Sequence, residues 1–277
     1  MPEGHTIHRA ARLQRKALRG KVVRADSPQG RFAAGAAVLD GQALRDVEAY
    51  GKHLFYRWSG GDTLHVHLGL YGRFMVGPRT DPLPPTTPGT RLRLVAQDVV
   101  LHLAGAAACE LIDPAEEDAI VARLGPDPLR RDADPERAWA ALRRRTIPVG
   151  AALLDQKVLC GVGNVYRAEA LFVTHLWPGR PARDLSRPEF DRLWTTVVAM
   201  LTDGERAGRI LTVDPRDVGV RSRRAVPWTE RVYVYKRQGL PCRRCGTPIV
   251  AWTSALRAIF GCPTCQPAEP LAREGVA

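Results

Sequence analysis

The tightest constraint on this 277-residue chain lies near its C-terminal end, where CRRC at 242–245 is followed, after sixteen residues, by CPTC at 262–265. Each CxxC turn brings two thiols together, and two such turns on a hairpin close a tetrahedral metal shell. Cys242, Cys245, Cys262 and Cys265 are therefore expected to hold one structural Zn2+ in a zinc ribbon, leaving no coordination position open for water. A redox dithiol is the alternative for either pair. Cys109 and Cys160 stand apart from the pairs and read as small buried hydrophobes. Between the pairs, TSALRAIFG is expected to form the hairpin, with Arg257 near its tip. Arg243, Arg244 and Arg257 then read as one cationic surface suited to phosphate.

Ahead of the ribbon the chain changes texture once. Residues 2–19 carry Ile7, Ala10, Ala11, Gln14, Ala17 and Leu18 at helical spacing, with Gly20 placed to end the helix. From Lys21 to about Leu111, short apolar runs (LFYRW, TLHVHLGL, RLRLVA, VVLHLA) alternate with glycine and proline, the pattern of a β-sandwich or barrel. DPLPPTTPG at 81–89 must be a loop, because proline cannot donate to a strand ladder. After Asp113 the pattern turns helical, with LGPDPL at 124–129 as the boundary. Ser186 and Glu189 form a capping box ahead of Phe190, Leu193, Trp194, Val197, Val198 and Leu201. The fold class is thus α+β and multidomain.

Lysine plus arginine number 41 against 29 acidic residues, a formal charge of +12 and a pI near 10.0. Such a balance calls for a polyanionic partner, nucleic acid first and an anionic membrane second. No stretch has the length of an apolar membrane span and the start lacks the apolar core of a signal peptide, so a cytoplasmic protein is expected. GAALLDQKVLCGVGNVYRAEALF at 150–172 reads as a helix, a glycine turn and a second helix capped by Asn164. The turn's glycines and the helix N-terminus together suit a phosphodiester. Glu169, within that second helix, has no role that the sequence assigns.

The chain opens MPEGHTIHRA. Removal of Met1 would leave Pro2 with a free secondary amine, and an α-amine titrates near pH 8, well below a lysine, so it can act as a nucleophile towards carbonyl carbon.

Taken in order, MPEG, GKHL at 51–54, LGLYGRF at 68–74, LGPDPL, LLDQK followed by GVGNVYRAEALF, and VYVYKRQGLPCRRCG resemble the formamidopyrimidine-DNA glycosylase and endonuclease VIII family of base-excision repair enzymes. The likeness runs over nearly the whole chain. It implies an N-terminal helix and β-sandwich at 1–118, a linker at 119–130, a helix-two-turns-helix domain at 131–231, a zinc finger at 232–268 and a tail at 269–277. It implies damaged DNA as partner, held between the two halves by a monomer. By the same resemblance Pro2 is the nucleophile that attacks C1′ of an extruded nucleotide, and Glu3 the acid that protonates the departing group. Lys52 and Asn164 match phosphate-binding residues, Arg257 the zinc-finger arginine, and Leu70 and Tyr71 the wedge that fills the emptied stack.

Three departures qualify the match. Thr6 stands where the family commonly has glutamate, with His5 in place of proline, which implies weak release of intact damaged bases but sustained cleavage of abasic sites. Gly69 replaces a polar residue of the wedge. The stretch VVLHLAGAAACELI at 99–112 lacks the arginine and phenylalanine expected of the formamidopyrimidine branch, which favours oxidised pyrimidines over 8-oxoguanine. An 8-oxoguanine-type glycosylase and a non-catalytic zinc-ribbon DNA-binding protein are the alternatives.

Overall fold

In the computed structural model, residues 2–254 and 257–268 are described, with the side chains of residues 253, 254 and 257 outside that description. The chain divides into two compact units, Met1–Leu124 and Gly125–Ala277.

The first unit begins with helix α1 (Gly4–Leu18), whose stripe of Ile7, Ala11, Gln14 and Leu18 is buried. Gly20, at φ 79°, follows and turns the chain, a conformation that a Cβ would penalise. Strand β1 (Arg24–Asp26), helix α2 (Ala33–Leu39), and strands β2 (Leu44–Tyr50), β3 (His53–Trp58), β4 (Thr63–His67), β5 (Arg73–Pro78), β6 (Thr90–Val95), β7 (Val99–Ala104) and β8 (Ala108–Ile112) come next. They form two antiparallel four-stranded sheets, ordered β1-β6-β7-β5 and β2-β3-β4-β8. Both sheets and α1 contribute to one core, in which Ile7, Leu54, Tyr56, Leu92 and Leu101 are each at most 1% exposed. Within that core the Tyr56 hydroxyl donates to the side-chain oxygen of Gln14, so a polar pair is satisfied where neither group meets water. Helix α3 (Pro114–Ala122) follows, its start closed by a capping box of Asp113 and Glu116.

The second unit contains α4 (Pro135–Arg143), the single turn α5 (Val149–Ala152), α6 (Asn164–Val173), the long α7 (Arg187–Ala207), and the hairpin of β9 (Val250–Ser254) and β10 (Arg257–Gly261). The capping box expected of Ser186 and Glu189 opens α7, and Gly208 in the left-handed region closes it. Cys242, Ile249, Ile259 and Cys262 belong to the same buried cluster as Leu171, Phe172, Leu193 and Val197. The ribbon therefore shares the helical core instead of forming its own.

Two expectations shift. The helix read ahead of the glycine turn is only the one turn of α5, because Gln156 binds the chain that follows: its amide donates to Leu154 O and Val162 O and accepts from Gly161 N. Helix α2, in the run AAGAAVL, lies within a stretch read as strands; its alanines carry no polar periodicity to mark it.

Glu169, fully buried on α6, explains how the lead-in to the ribbon is held. Its carboxylate accepts from the backbone N–H groups of Tyr233 (2.7 Å), Val234 (2.8 Å) and Tyr235 (2.9 Å), and from the Thr212 hydroxyl. Burial pushes its pKa up while these four donors pull against it. An amide offers one acceptor oxygen in place of two. Glu169→Gln is accordingly expected to leave buried N–H groups without partners and to destabilise the fold by ~2–4 kcal/mol, read as a lower urea midpoint.

Candidate functional site

In the first unit, the start of α1 and the β4–β5 turn border one cleft of about 720 Å3. Pro2, Thr6, Arg9, Leu13 and Gln14 line it from one side, and Leu68, Leu70, Arg73, Phe74 and Val76 from the other. Pro2 and Leu70, 68 residues apart in sequence, are thus brought to the same space. Glu3 is the N-cap of α1 and is fully buried; its backbone oxygen accepts from Thr6 N at 2.9 Å, but its side chain makes no cap hydrogen bond.

His5 is buried, and desolvation, with the positive N-terminus second, lowers its pKa to about 4. It is neutral at neutral pH and a weak base. Its ring lies 3.2 Å from the Thr6 hydroxyl. A proton carrier that stood in for the missing glutamate at Thr6 would need a pKa nearer 7, so His5 does not suit that part.

The turn that presents Leu70 and Tyr71 depends on glycine. At Gly72 a Cβ would stand 2.2 Å from Leu68 O, the same carbonyl that accepts from Gly72 N at 2.9 Å. At Gly69, φ is 64° and a Cβ would lie 2.9 Å from the Ala107 methyl in the β7–β8 loop. That loop approaches because Ala107 N donates to His67 O at 2.9 Å. The small side chains of the β7–β8 loop and the bare Gly69 therefore go together. The turn leaves Leu70 53% and Tyr71 82% exposed, a high value for two large apolar side chains.

Lys52 lies with Gly51 in the two-residue turn joining β2 to β3, since Tyr50 pairs with His53. His53 pairs in turn with His67, the last residue of β4, so the Lys52 turn sits beside the strand end that leads to Leu70. Three histidines gather there. His53 Nδ1 is 2.9 Å from His65 Nε2, and His65 Nδ1 is 2.9 Å from Glu110 Oε1. The His53 and His67 rings are 4.9 Å apart. Burial first, then the neighbouring imidazoles and Lys52, lower the pKa of His53 to about 3, and burial likewise lowers that of His67. Both stay neutral around pH 7.

In the second unit, Asn164 is the first residue of α6, and Gly163 is the N-cap, with no side chain capping that start. The expected Asn164 cap is thus displaced by one residue. Its side-chain oxygen accepts instead from Arg167 at 3.2 Å. Of the three ribbon arginines, two are engaged inside the unit. Arg243 donates to Val232 O at 3.2 Å and pairs with Glu230 at 3.3 Å; Arg244 lies over the rings of Tyr233 (4.9 Å) and Phe172 (5.1 Å) and beside Asp217 (3.7 Å). Arg243 and Arg244 thus anchor the ribbon to α6 and its surroundings, with the Arg243 side chain mostly covered and Arg244 still exposed. Arg257 opens β10 opposite Ser254; its side chain lies outside the described residues.

The four cysteine sulfurs lie within 4.8 Å of one another. The Cys242–Cys265, Cys245–Cys262 and Cys245–Cys265 separations are 3.8, 3.4 and 3.5 Å. A tetrahedral metal with ~2.3 Å bonds to sulfur needs sulfur–sulfur edges of ~3.8 Å, so the cluster fits such an ion with little adjustment. Backbone N–H groups of Arg244 and Cys265 point at Cys242 Sγ and Cys262 Sγ, as thiolate ligands require.

The first unit thus joins a helix to a pair of sheets, and the second joins a glycine turn before a helix N-terminus to a four-cysteine ribbon. The formamidopyrimidine-DNA glycosylase N-terminal domain model matches residues 1–114, and the formamidopyrimidine-DNA glycosylase H2TH domain model matches residues 124–214. The chain is 47% identical over 269 residues to Endonuclease 8 1 of Mycobacterium tuberculosis, spanning 96% of this chain and 100% of that protein. It is 36% identical to the formamidopyrimidine-DNA glycosylase of Thermomicrobium roseum, over 80% of this chain and 81% of that one. The solved MutM (Fpg) protein of Thermus thermophilus matches with a TM-score of 0.77 at 31% identity, over 97% of this chain and 100% of the other. Lactococcus lactis Fpg in complex with abasic-site DNA gives 0.80 at 21% identity, over 96% and 99%, a likeness of fold. The chain belongs to the formamidopyrimidine-DNA glycosylase and endonuclease VIII family, DNA glycosylases with abasic-site lyase activity that serve base excision repair.

Two expected outcomes follow from the geometry of the first unit. Gly72→Ala should cost ~2–4 kcal/mol, against less than ~0.5 kcal/mol for Leu70→Ala at its exposed position, both read by chemical denaturation. His53 has a folded pKa below its unfolded value near 6.5, so its contribution is fully present above pH 6.5 and is lost as pH falls towards 3. His53→Gln should flatten the decline of the melting temperature between pH 6.5 and 4.

Proposed function

We propose that this chain excises oxidised bases, pyrimidines in preference, and then cleaves the strand, through an imine formed on Pro2. With Met1 removed, the Pro2 nitrogen attacks C1′ of the extruded nucleotide as the C1′–N bond to the base breaks and the base leaves with a proton. The proline nitrogen then gives up its proton and its lone pair expels O4′, which takes a proton from Glu3, so that the opened sugar is held as a C1′=N iminium; this acidifies the C2′ proton, whose loss expels the 3′ phosphate, and a second elimination expels the 5′ phosphate. Glu3, buried at the next residue, supplies the proton for the departing group. Leu70 and Tyr71 fill the vacated stack, and Lys52, Asn164 and Arg257 bind phosphates on either side. One Zn2+ on the four cysteine thiolates would close the ribbon structurally. DNA is the partner and the working unit is a monomer.

The observation that carries this reading is the shared cleft of Pro2 and Leu70, which sets the amine beside the side chain proposed to replace the extruded nucleotide. The pyrimidine preference rests on the small residues of the β7–β8 loop, Gly105 to Ala107, in a stretch that carries neither the arginine nor the phenylalanine of the formamidopyrimidine branch. An 8-oxoguanine specialist would be expected to carry larger groups there.

Borohydride trapping on duplexes containing an abasic site, thymine glycol or 8-oxoguanine tests the proposal. The protein should trap strongly on the abasic site, measurably on thymine glycol and least on 8-oxoguanine, and Pro2→Gly should lower trapping at least 100-fold. Tight DNA binding with no adduct on any duplex would favour the non-catalytic alternative.

A further inference from the structure

Arg167 is an arginine with no measurable exposure, three residues beyond Asn164 on α6. A buried guanidinium is costly unless its donors are met, and the two terminal nitrogens of this one, though not Nε, reach oxygens on three separate pieces of chain. Nη1 donates to Gly150 O of α5 at 3.0 Å; Nη2 donates to Ala258 O of β10 at 3.0 Å and to Asn164 Oδ1 at 3.2 Å. The close approach of these pieces is itself built in. A Cβ on Gly150 would stand 2.8 Å from the Ile259 side chain and 3.0 Å from Pro178 O, so glycine there lets β10 and the Pro178 carbonyl come close to α5.

The contact with Asn164 has a chemical consequence. A guanidinium only donates, so it fixes which end of the carboxamide faces it: the oxygen. The Nδ2 amino group is then left at the other end, and an amino group is the end that can donate to a phosphate oxygen. Without Arg167 the carboxamide could turn over and present an acceptor to an anion. The same guanidinium holds Ala258, the neighbour of Arg257, so one buried cation fixes both the turn and the start of β10.

We propose that Arg167 is a positioning residue for DNA binding: it holds Asn164 with its amino end available to a backbone phosphate, and acts on DNA through Asn164 without touching it. This rests on the reading of Asn164 as a phosphate donor, and lysine at position 167 could satisfy only part of the three-oxygen arrangement.

The test is a double-mutant cycle on the full chain, with affinity for a duplex carrying a tetrahydrofuran abasic analogue measured by anisotropy across a range of salt. Asn164→Ala should weaken binding about tenfold and Arg167→Met to a similar extent, with Arg167→Lys in between. The double variant should bind within about twofold of Asn164→Ala. The slope of log affinity against log salt should be unchanged in Arg167→Met, since a residue contacting phosphate directly would lower it by ~1. Multiplicative effects in the double variant, or a slope that falls by one, would overturn the proposal. So would an Asn164→Ala variant that binds like wild type; trapping on abasic DNA by the unaltered protein reports separately on the imine reading. If the Arg167 variants do not fold, Asn164→Asp decides. Pairing with the guanidinium should raise its melting temperature while binding falls at least tenfold, and a lowered melting temperature would contradict the contact.

Discussion

Helix α6 carries two fully buried charges two residues apart, Arg167 and Glu169, and the second unit depends on them. Positions two apart on a helix face different ways, so the pair does not neutralise itself. Each reaches out to bind backbone instead: the cation to carbonyls of α5 and β10, the anion to successive N–H groups of the segment that leads into the ribbon. Ten helical residues thereby tie together the glycine turn, the ribbon strand and the ribbon's approach. The guanidinium that holds the fold also holds the Asn164 carboxamide, so the stability of α6 and the orientation of that side chain are one problem.

The first unit solves a comparable problem with backbone shape. Helix α1 is fixed by its apolar stripe and by the Tyr56–Gln14 pair, which sets where Pro2 begins. The β4–β5 turn is fixed by Gly72 closing on Leu68 O, which sets where Leu70 projects. Neither Pro2 nor Leu70 needs a partner of its own to reach the common cleft. The turn leaves Leu70 and Tyr71 exposed, as the proposed insertion into an emptied base stack requires.

Much of this was legible in the sequence where the determining forces are local. The CxxC spacing, the Ser186–Glu189 box, the helical stripe of 4–18 and the proline-rich loop each involve residues a few positions apart, and each appears as expected. What could not be read depends on distant partners. Glu169 binds residues 43 to 66 positions away, so its role was invisible from its neighbours. The internal partners of Arg243 and Arg244 were equally hidden from their neighbours: Glu230 and Val232 hold the first, and two aromatic rings lie under the second. Asn164 was placed at the right turn but one residue from the cap, since glycine at Gly163 starts the helix and Arg167 takes the amide.

The claim on which the rest converges is that the reacting amine is that of Pro2. Peptide mapping by mass spectrometry of the borohydride-reduced adduct with abasic DNA addresses it most directly. The account predicts the sugar remnant on the N-terminal peptide, at the Pro2 nitrogen, in a protein lacking Met1. A remnant on Lys52 or another lysine, with Pro2 unmodified, would contradict it.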